Sequence, residues 1–267
     1  MTIRVCVAGA TGWAGSPLTR AILESTEFQL VGAIARSSAG RDAGEVLGLP
    51  TAGVPIVGTL ADALRAPTDV LIDYTHPGEV KARILNALDH GVRVIVGTSG
   101  LVAADYEEIG RQAEKSGLGV IAAGNFSITA ALAKHFSLLA ARYLPSWEII
   151  DYAHAGKVDA PSGTTQELAE ALGQVAINKL GLPLDDTHGP REVRGATIGG
   201  CQVHSVRLPS YVIAFETIFG LPDERLTIRH DAGAGAEPYV AGTLLAARRV
   251  MEITGLVRGL DTLLFQA

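Results

Sequence analysis

The chain has 267 residues, enough to bury a large core in one or two domains. Its 28 acidic residues outnumber 22 Lys and Arg, and the resulting formal charge of −6 leaves no electrostatic case for a nucleic-acid partner. Two cysteines make no disulfide framework, no apolar run reaches membrane-spanning length, and no secretion signal precedes the first strand, so the expectation is a cytoplasmic chain with no membrane partner.

Residues 3–7 are apolar and β-branched and predict a buried strand, with Cys6 as one of its small apolar members. Gly9-Ala10-Thr11-Gly12-Trp13-Ala14-Gly15 follows, and then a helix pattern over residues 17–25. This G-x-x-G-x-x-G run is looser than G-x-G-x-x-G, but it stands between strand and helix, the context a dinucleotide-binding loop needs. Gly9 suits the tight turn, Gly12 the close approach of a pyrophosphate, and Gly15 the packing of helix on strand. The plainer alternative is a merely tight strand-to-helix turn. The next strand, residues 29–35, ends in Arg36-Ser37-Ser38, where an NAD site carries an acid for the ribose 2′-hydroxyl. An Arg fork beside serines suits a 2′-phosphate, so the reading leans to NADP, with NAD as the alternative cofactor and a solvated strand end as the bland one.

Strands and helices then alternate. Residues 54–57 and a turn at 60–64 precede a buried strand at 70–74, which ends in Thr75-His76-Pro77. A helix over 78–90 is closed by Gly91, a strand over 92–96 ends in Gly97-Thr98-Ser99-Gly100, and a helix over 105–116 is closed by Gly117 before a strand at 118–122. This predicts an α/β fold with a Rossmann-type doubly wound parallel sheet. Ligands of such sheets sit at the carboxyl ends of the strands, where residues 9–15, 73–77 and 97–100 lie. After Asn125-Phe126-Ser127 and an apolar helix over 129–143, the pattern changes. Strands predicted at 148–152, 202–208, 211–219 and 225–230 have few helices between them, so a second α+β domain on an antiparallel or mixed sheet is expected. Residues 180–195 read as a surface loop and 243–254 as a last amphipathic helix.

The most informative stretch is Lys157-Val158-Asp159-Ala160-Pro161-Ser162-Gly163-Thr164. A cation stands a few residues ahead of a Ser-Gly-Thr turn that opens a helix, with Thr164 and Glu167 in capping-box spacing. Free N–H groups at a helix start form an anion site, and Lys157 beside them makes a pocket for a carboxylate or phosphate. A plain capped helix is the alternative. Hydride transfer to an unsaturated carbon leaves charge that a proton must neutralise, and Tyr152, His154 and Lys157 are the candidates nearby. In an extended segment Tyr152 and His154 share one face and Ala153 points the other way. Asp159 reads as turn chemistry, and the histidines show no metal spacing, so no metal is assigned.

These pieces, together with His204-Ser205-Val206-Arg207 and Leu226-Thr227-Ile228-Arg229-His230, resemble the dihydrodipicolinate reductase family over nearly the whole length. The resemblance implies a dinucleotide-binding domain at 1–127, rejoined by 238–267, and a substrate-binding and oligomerisation domain at 128–237. It implies NAD(P)H-dependent reduction of a cyclic dicarboxylate by a homotetramer of lysine (diaminopimelate) biosynthesis. The cofactor set carried over is Gly9, Ala10, Thr11, Gly12, Trp13, Ala14, Gly15, Arg36, Ser37, Tyr74, Thr75, Gly97, Thr98, Ser99, Asn125 and Phe126. The substrate set is Thr98, His154, Lys157, Ser162, Gly163 and Thr164, with Lys157 and His154 as catalytic candidates. One departure stands out. The family places two adjacent histidines four and three residues before the Lys, and here those positions are Ala153 and His154. That change suggests a divergent paralogue, either a reductase of a related cyclic imine or unsaturated dicarboxylate or a catalytically weak NADP(H)-binding homologue with a regulatory role.

Overall fold

The computed structural model describes residues 2–265. They form two compact units: one runs to Ile128 and resumes at Gly235, and the other is Thr129–Ala234.

The first unit is built on strands β1 (Ile3–Ala8), β2 (Phe28–Ile34), β3 (Ile56–Val57), β4 (Val70–Asp73), β5 (Arg93–Val96), β6 (Gly119–Ala122) and β12 (Gly255–Arg258). They pair in the order β12-β6-β5-β4-β1-β2-β3, and every pairing is parallel. Continuous apolar runs explain this: Val5 to Ala8 and Val70 to Ile72 are buried without alternation, as strands covered on both faces must be. The covering helices include α1 (Gly15–Leu23), α4 (Pro77–Asp89), α5 (Ala103–Ser116) and α8 (Glu237–Arg249), and two single-turn helices are α2 (Ala43–Val46) and α3 (Leu60–Ala63). On α4 the buried residues are Val80, Ile84, Ala87 and Leu88, one stripe at helical spacing. Each fully buried Ile or Leu in that stripe contributes roughly 1.5–3 kcal/mol.

The second unit carries α6 (Ile128–Ala140), β7 (Trp147–Ala153), α7 (Gly163–Val175), β8 (Ala196–Ile198), β9 (Cys201–Arg207), β10 (Ile213–Leu221) and β11 (Glu224–Ala232). Its five-stranded sheet has the order β11-β10-β7-β9-β8, and only β7 with β9 is parallel, so the sheet is mixed. Trp147, Ile149, Asp151 and Ala153 alternate as the buried face of β7, while Glu148, Ile150 and Tyr152 are half-buried. Leu168, Ala169 and Leu172 of α7 pack with Trp147, Ile149 and Phe219 in this unit's core.

The fold class is the one the sequence predicts. The differences are local. Helix α8 begins at Glu237, six residues before its expected start, because Pro238 sits in the first turn, where its missing N–H costs nothing. It gives way to a 3-10 turn at Val250–Glu252, and β12 and α9 (Leu260–Phe265) follow unpredicted. The 180–195 loop contains two 3-10 turns, Leu184–Asp186 and Arg191–Arg194.

Candidate functional site

In the first unit the ends of β1, β2, β4, β5 and β6 open onto a cleft of about 780 Å³. Its floor is the glycine loop. Gly9 has φ +83°, and a Cβ there would fall 2.1 Å from the Tyr74 carbonyl oxygen. A Cβ on Gly15 would fall 1.9 Å from the Gly9 carbonyl oxygen. At Gly12 a Cβ would meet the Gly9 oxygen at 3.1 Å and no other atom within 4 Å, a much milder conflict than at Gly9 or Gly15, and α1 begins three residues later. A backbone cradle ending in a helix N-terminus fits a pyrophosphate. Of the predicted cofactor residues, Gly9, Thr11, Gly12, Trp13, Ala14, Arg36, Ser37, Tyr74, Thr75, Gly97, Thr98, Ser99, Asn125 and Phe126 line the cleft. Ala10 and Gly15 do not: Ala10 is buried, its carbonyl accepting from the Thr19 hydroxyl at 3.2 Å, and Gly15 is packed beneath the loop.

Arg36 and Ser37 are exposed just past β2, with no ion pair holding Arg36 among the described residues. At the end of β4, Asp73 is fully buried and organises two loops. Its Oδ1 accepts from the Thr75 N–H at 3.0 Å, the Thr75 hydroxyl at 2.7 Å and the Thr98 hydroxyl at 2.7 Å. Arg83 of α4 donates to Oδ2 at 2.8 Å. The Thr98 hydroxyl also accepts from the Thr75 N–H at 2.7 Å. Its hydroxyl is therefore committed within the loop. Tyr74 turns inward, its hydroxyl 2.7 Å from that of Thr243 and its ring 6.1 Å from Phe126, and burial pushes its pKa well up. Gly97 is required beside it, because a Cβ would fall 2.1 Å from the Tyr74 ring. The Asn125 side chain accepts from the Ser127 N–H at 2.8 Å. Sequence reasoning missed Arg83 and also Tyr239, which packs edge-on against Trp13 at 5.6 Å and lines the cleft from α8.

In the second unit the helix opened by the Ser-Gly-Thr turn is α7. Its N-cap is Ser162, not Thr164, and the expected capping box is absent. Glu167 instead accepts from Lys134 of α6 at 2.6 Å. The Ser162 hydroxyl makes no cap bond and donates to Asp151 Oδ1 at 2.5 Å, while its N–H donates to Oδ2 at 3.0 Å. Thr165 and Ser205 hydroxyls reach the same carboxylate at 3.0 and 3.3 Å, and Arg207 at 2.7 Å. Burial drives the Asp151 pKa up, but the Ser162 hydroxyl, Arg207, the Ser162 N–H and Thr165 together hold it below the ordinary value. Lys157 is paired with Asp159 at 2.7 Å, and this partner lowers the Asp159 pKa. His154 is exposed, one residue past β7, with its N–H on the Val212 carbonyl at 3.1 Å. Burial and the bond from the Tyr152 hydroxyl to Glu216 at 2.7 Å push the Tyr152 pKa up to about 12. Ala153 has no exposed surface. Among the described residues no group of three or more side chains could hold a metal ion.

A parallel sheet whose strand ends frame a glycine-floored cleft, with a mixed-sheet unit inserted before its last helices, defines a two-unit oxidoreductase of the nicotinamide-dependent class. Residues 3–126 match the N-terminal part of dihydrodipicolinate reductase and residues 126–264 its C-terminal part. The chain is 40% identical over 264 residues to 4-hydroxy-tetrahydrodipicolinate reductase of Moorella thermoacetica, covering 98% of each. It is 38% identical over 263 residues to that of Halalkalibacterium halodurans, covering 98% of this chain and 99% of the other. A dipicolinate-bound dihydrodipicolinate reductase from Paenisporosarcina sp. TG-14 superimposes with a TM-score of 0.85 at 32% identity, over 98% of this chain and 99% of that one. An amine dehydrogenase from Mycobacterium smegmatis shares the fold alone, with a TM-score of 0.67 at 15% identity, over 98% and 96% of the two chains. The chain belongs to the dihydrodipicolinate reductase family. These full-length likenesses give no ground for setting it apart as a divergent paralogue. No helix among the described residues is long and apolar enough to cross a membrane.

Proposed function

We propose that this chain reduces 4-hydroxy-tetrahydrodipicolinate, or a closely related cyclic imine or unsaturated dicarboxylate, with NADPH as the preferred donor and NADH as the alternative. One observation carries the reading most directly. Lys157 lies ahead of a 13-residue helix whose cap residue leaves the first-turn N–H groups unbonded by its side chain, a site suited to carboxylates. The dipicolinate held by the related structure supports a dicarboxylate ligand.

In this reading Gly9, Gly12 and the start of α1 bind the pyrophosphate, and Arg36 with Ser37 binds the 2′-phosphate. Thr75, Thr98, Asn125 and Phe126 frame the nicotinamide end, and when bound that ring supplies the hydride. Thr98 reaches substrate through its main chain, since its hydroxyl is held by Asp73. Lys157 leaves Asp159 for a substrate carboxylate, which also accepts from the Gly163 and Thr164 N–H groups. His154 flanks that carboxylate. With the Tyr152 hydroxyl committed to Glu216, the proton comes from Lys157 or His154. The half-buried face of the mixed sheet, with Ile150, Tyr152, Glu216 and Ile218, is the surface a homotetramer would cover, and light scattering in solution would count the copies.

The alternative, a catalytically weak NADP(H)-binding homologue, rests on Ala153. That side chain is fully buried, so position 153 offers no group to a ligand. An assay of NADPH oxidation with substrate generated in place decides between the two. Turnover at an enzymatic rate supports the reductase, and cofactor binding without turnover supports the alternative.

A further inference from the structure

The buried carboxylate beneath α7 has no role in the chemistry above. Asp151 has no exposed surface, yet it accepts five bonds drawn from two separate stretches of chain: Ser162 and Thr165 at the start of α7, and Ser205 and Arg207 of β9. Two consequences follow for the proposed anion site, and both rest on the carboxylate-binding reading of the Ser162-Gly163-Thr164 turn.

First, an N-cap serine ordinarily turns its hydroxyl onto the N–H groups of the first helical turn and satisfies one of them. Here that hydroxyl is drawn away to Asp151 at 2.5 Å and no cap bond forms. The first-turn donors are left for a ligand. Second, a lone buried carboxylate next to an anion site would repel the very ligand the site should hold, and in a low-dielectric interior that repulsion is strong. Arg207 removes it. Its Nη2 lies 2.7 Å from Asp151 Oδ2 and also donates to the Asp159 carbonyl at 2.7 Å. One guanidinium therefore neutralises the carboxylate beneath the turn and ties down the loop that carries Lys157.

We infer that Asp151 and Arg207 are positioning residues for dicarboxylate recognition: Asp151 withdraws the Ser162 cap so that the helix start stays open, and Arg207 cancels the charge of Asp151 while fixing the Lys157 loop.

The test is a double-mutant cycle on the full chain, reading the affinity for pyridine-2,6-dicarboxylate and, as a fold check, for NADPH. Asp151→Asn is expected to weaken the dicarboxylate about tenfold and Arg207→Met about a hundredfold, each leaving NADPH within about twofold. Adding Asp151→Asn to Arg207→Met should recover about tenfold of the loss, because the unpaired carboxylate is gone. A merely structural pair gives a double variant as weak as Arg207→Met or weaker, and that result overturns the proposal, as does parent-like dicarboxylate affinity in either single variant. If Arg207→Met loses NADPH binding through misfolding, Arg207→Lys takes its place, since Lys cannot bridge Asp151 and the Asp159 carbonyl together. Lys157→Met separates the two readings. Undiminished dicarboxylate binding in that variant sinks the anion-site reading itself. Its loss in Lys157→Met alone, with Asp151 and Arg207 variants unaffected, sinks only the positioning pair.

Discussion

The two candidate sites are held by opposite means. The cleft of the first unit is made of absent side chains: Gly9, Gly15 and Gly97 sit where a Cβ would collide with backbone or ring at 1.9–2.1 Å. The turn of the second unit is made of present ones, a carboxylate surrounded by hydroxyls from α7 and β9 and a guanidinium from β9. A site shaped by space fails when anything is added, whereas a site held by a polar network fails when one member is removed.

The largest expected effect comes from adding one methyl group beneath the glycine loop. Gly15→Ala must push the Gly9 carbonyl aside and is expected to cost roughly 2–4 kcal/mol, a fall in Tm of about 5–15 °C, with loss of NADPH binding. Gly12→Ala sharpens the point. Its Cβ would stand 3.1 Å from the Gly9 oxygen, so calorimetry should show a change below about 1 kcal/mol while NADPH affinity drops about tenfold. Equal effects of the two variants on stability would break the distinction between packing glycine and cradle glycine.

Next comes removal from the second site. Lys157→Ala should lower kcat/KM by about one to two decades, the value of one charge-assisted bond, with NADPH affinity unchanged. A larger fall concentrated in kcat would assign the proton to Lys157. Smaller again is Arg36→Ala, expected to weaken NADPH about tenfold and to leave NADH within about twofold by titration. Equal weakening of both cofactors removes Arg36 from the 2′-phosphate.

The smallest effect concerns pH. Asp151 is held below its ordinary value in the fold, whereas in the unfolded chain an aspartate titrates near about 3.9. Its ionised form then stabilises the fold fully above that value, and the contribution fades as pH falls through the lower folded value. Tm should therefore fall as pH is lowered through this acid range, and Asp151→Asn should flatten part of that dependence. An unchanged slope would mean that the network does not depend on the charge of Asp151.

The same contrast decides what was legible in the sequence. The glycine loop, the strand ends and the Lys-to-Thr octet are local, and residue order alone places them. Even Ala10 and Gly15 were picked by motif, although the cleft does not expose them. Long-range partners were not legible. Asp151 lies in a run that reads only as alternating strand, and nothing local says that Ser162, Ser205 and Arg207 converge on it. The capping-box reading of Thr164 failed for that reason: a tertiary acceptor outcompeted the local one for Ser162, which moved the helix start to Gly163. Tyr239 was invisible in the same way, since it reaches Trp13 from more than two hundred positions away.

The return of the chain to its first unit has a consequence for biosynthesis. Residues from Gly235 onward supply the parallel edge strand beside β6, the helix whose Gly242 lets it close on the Phe126 carbonyl, the Thr243 hydroxyl that holds Tyr74, and the Tyr239 wall of the cleft. A ribosome delivers these after Thr129–Ala234. Until they emerge the β6 edge stays unpaired and the cleft lacks a side, while the whole of Thr129–Ala234 is already available to fold. The inserted unit can therefore form before the unit whose segments flank it in the chain, and a nascent chain stalled before residue 235 has its Ser162-Gly163-Thr164 turn but an unfinished cleft.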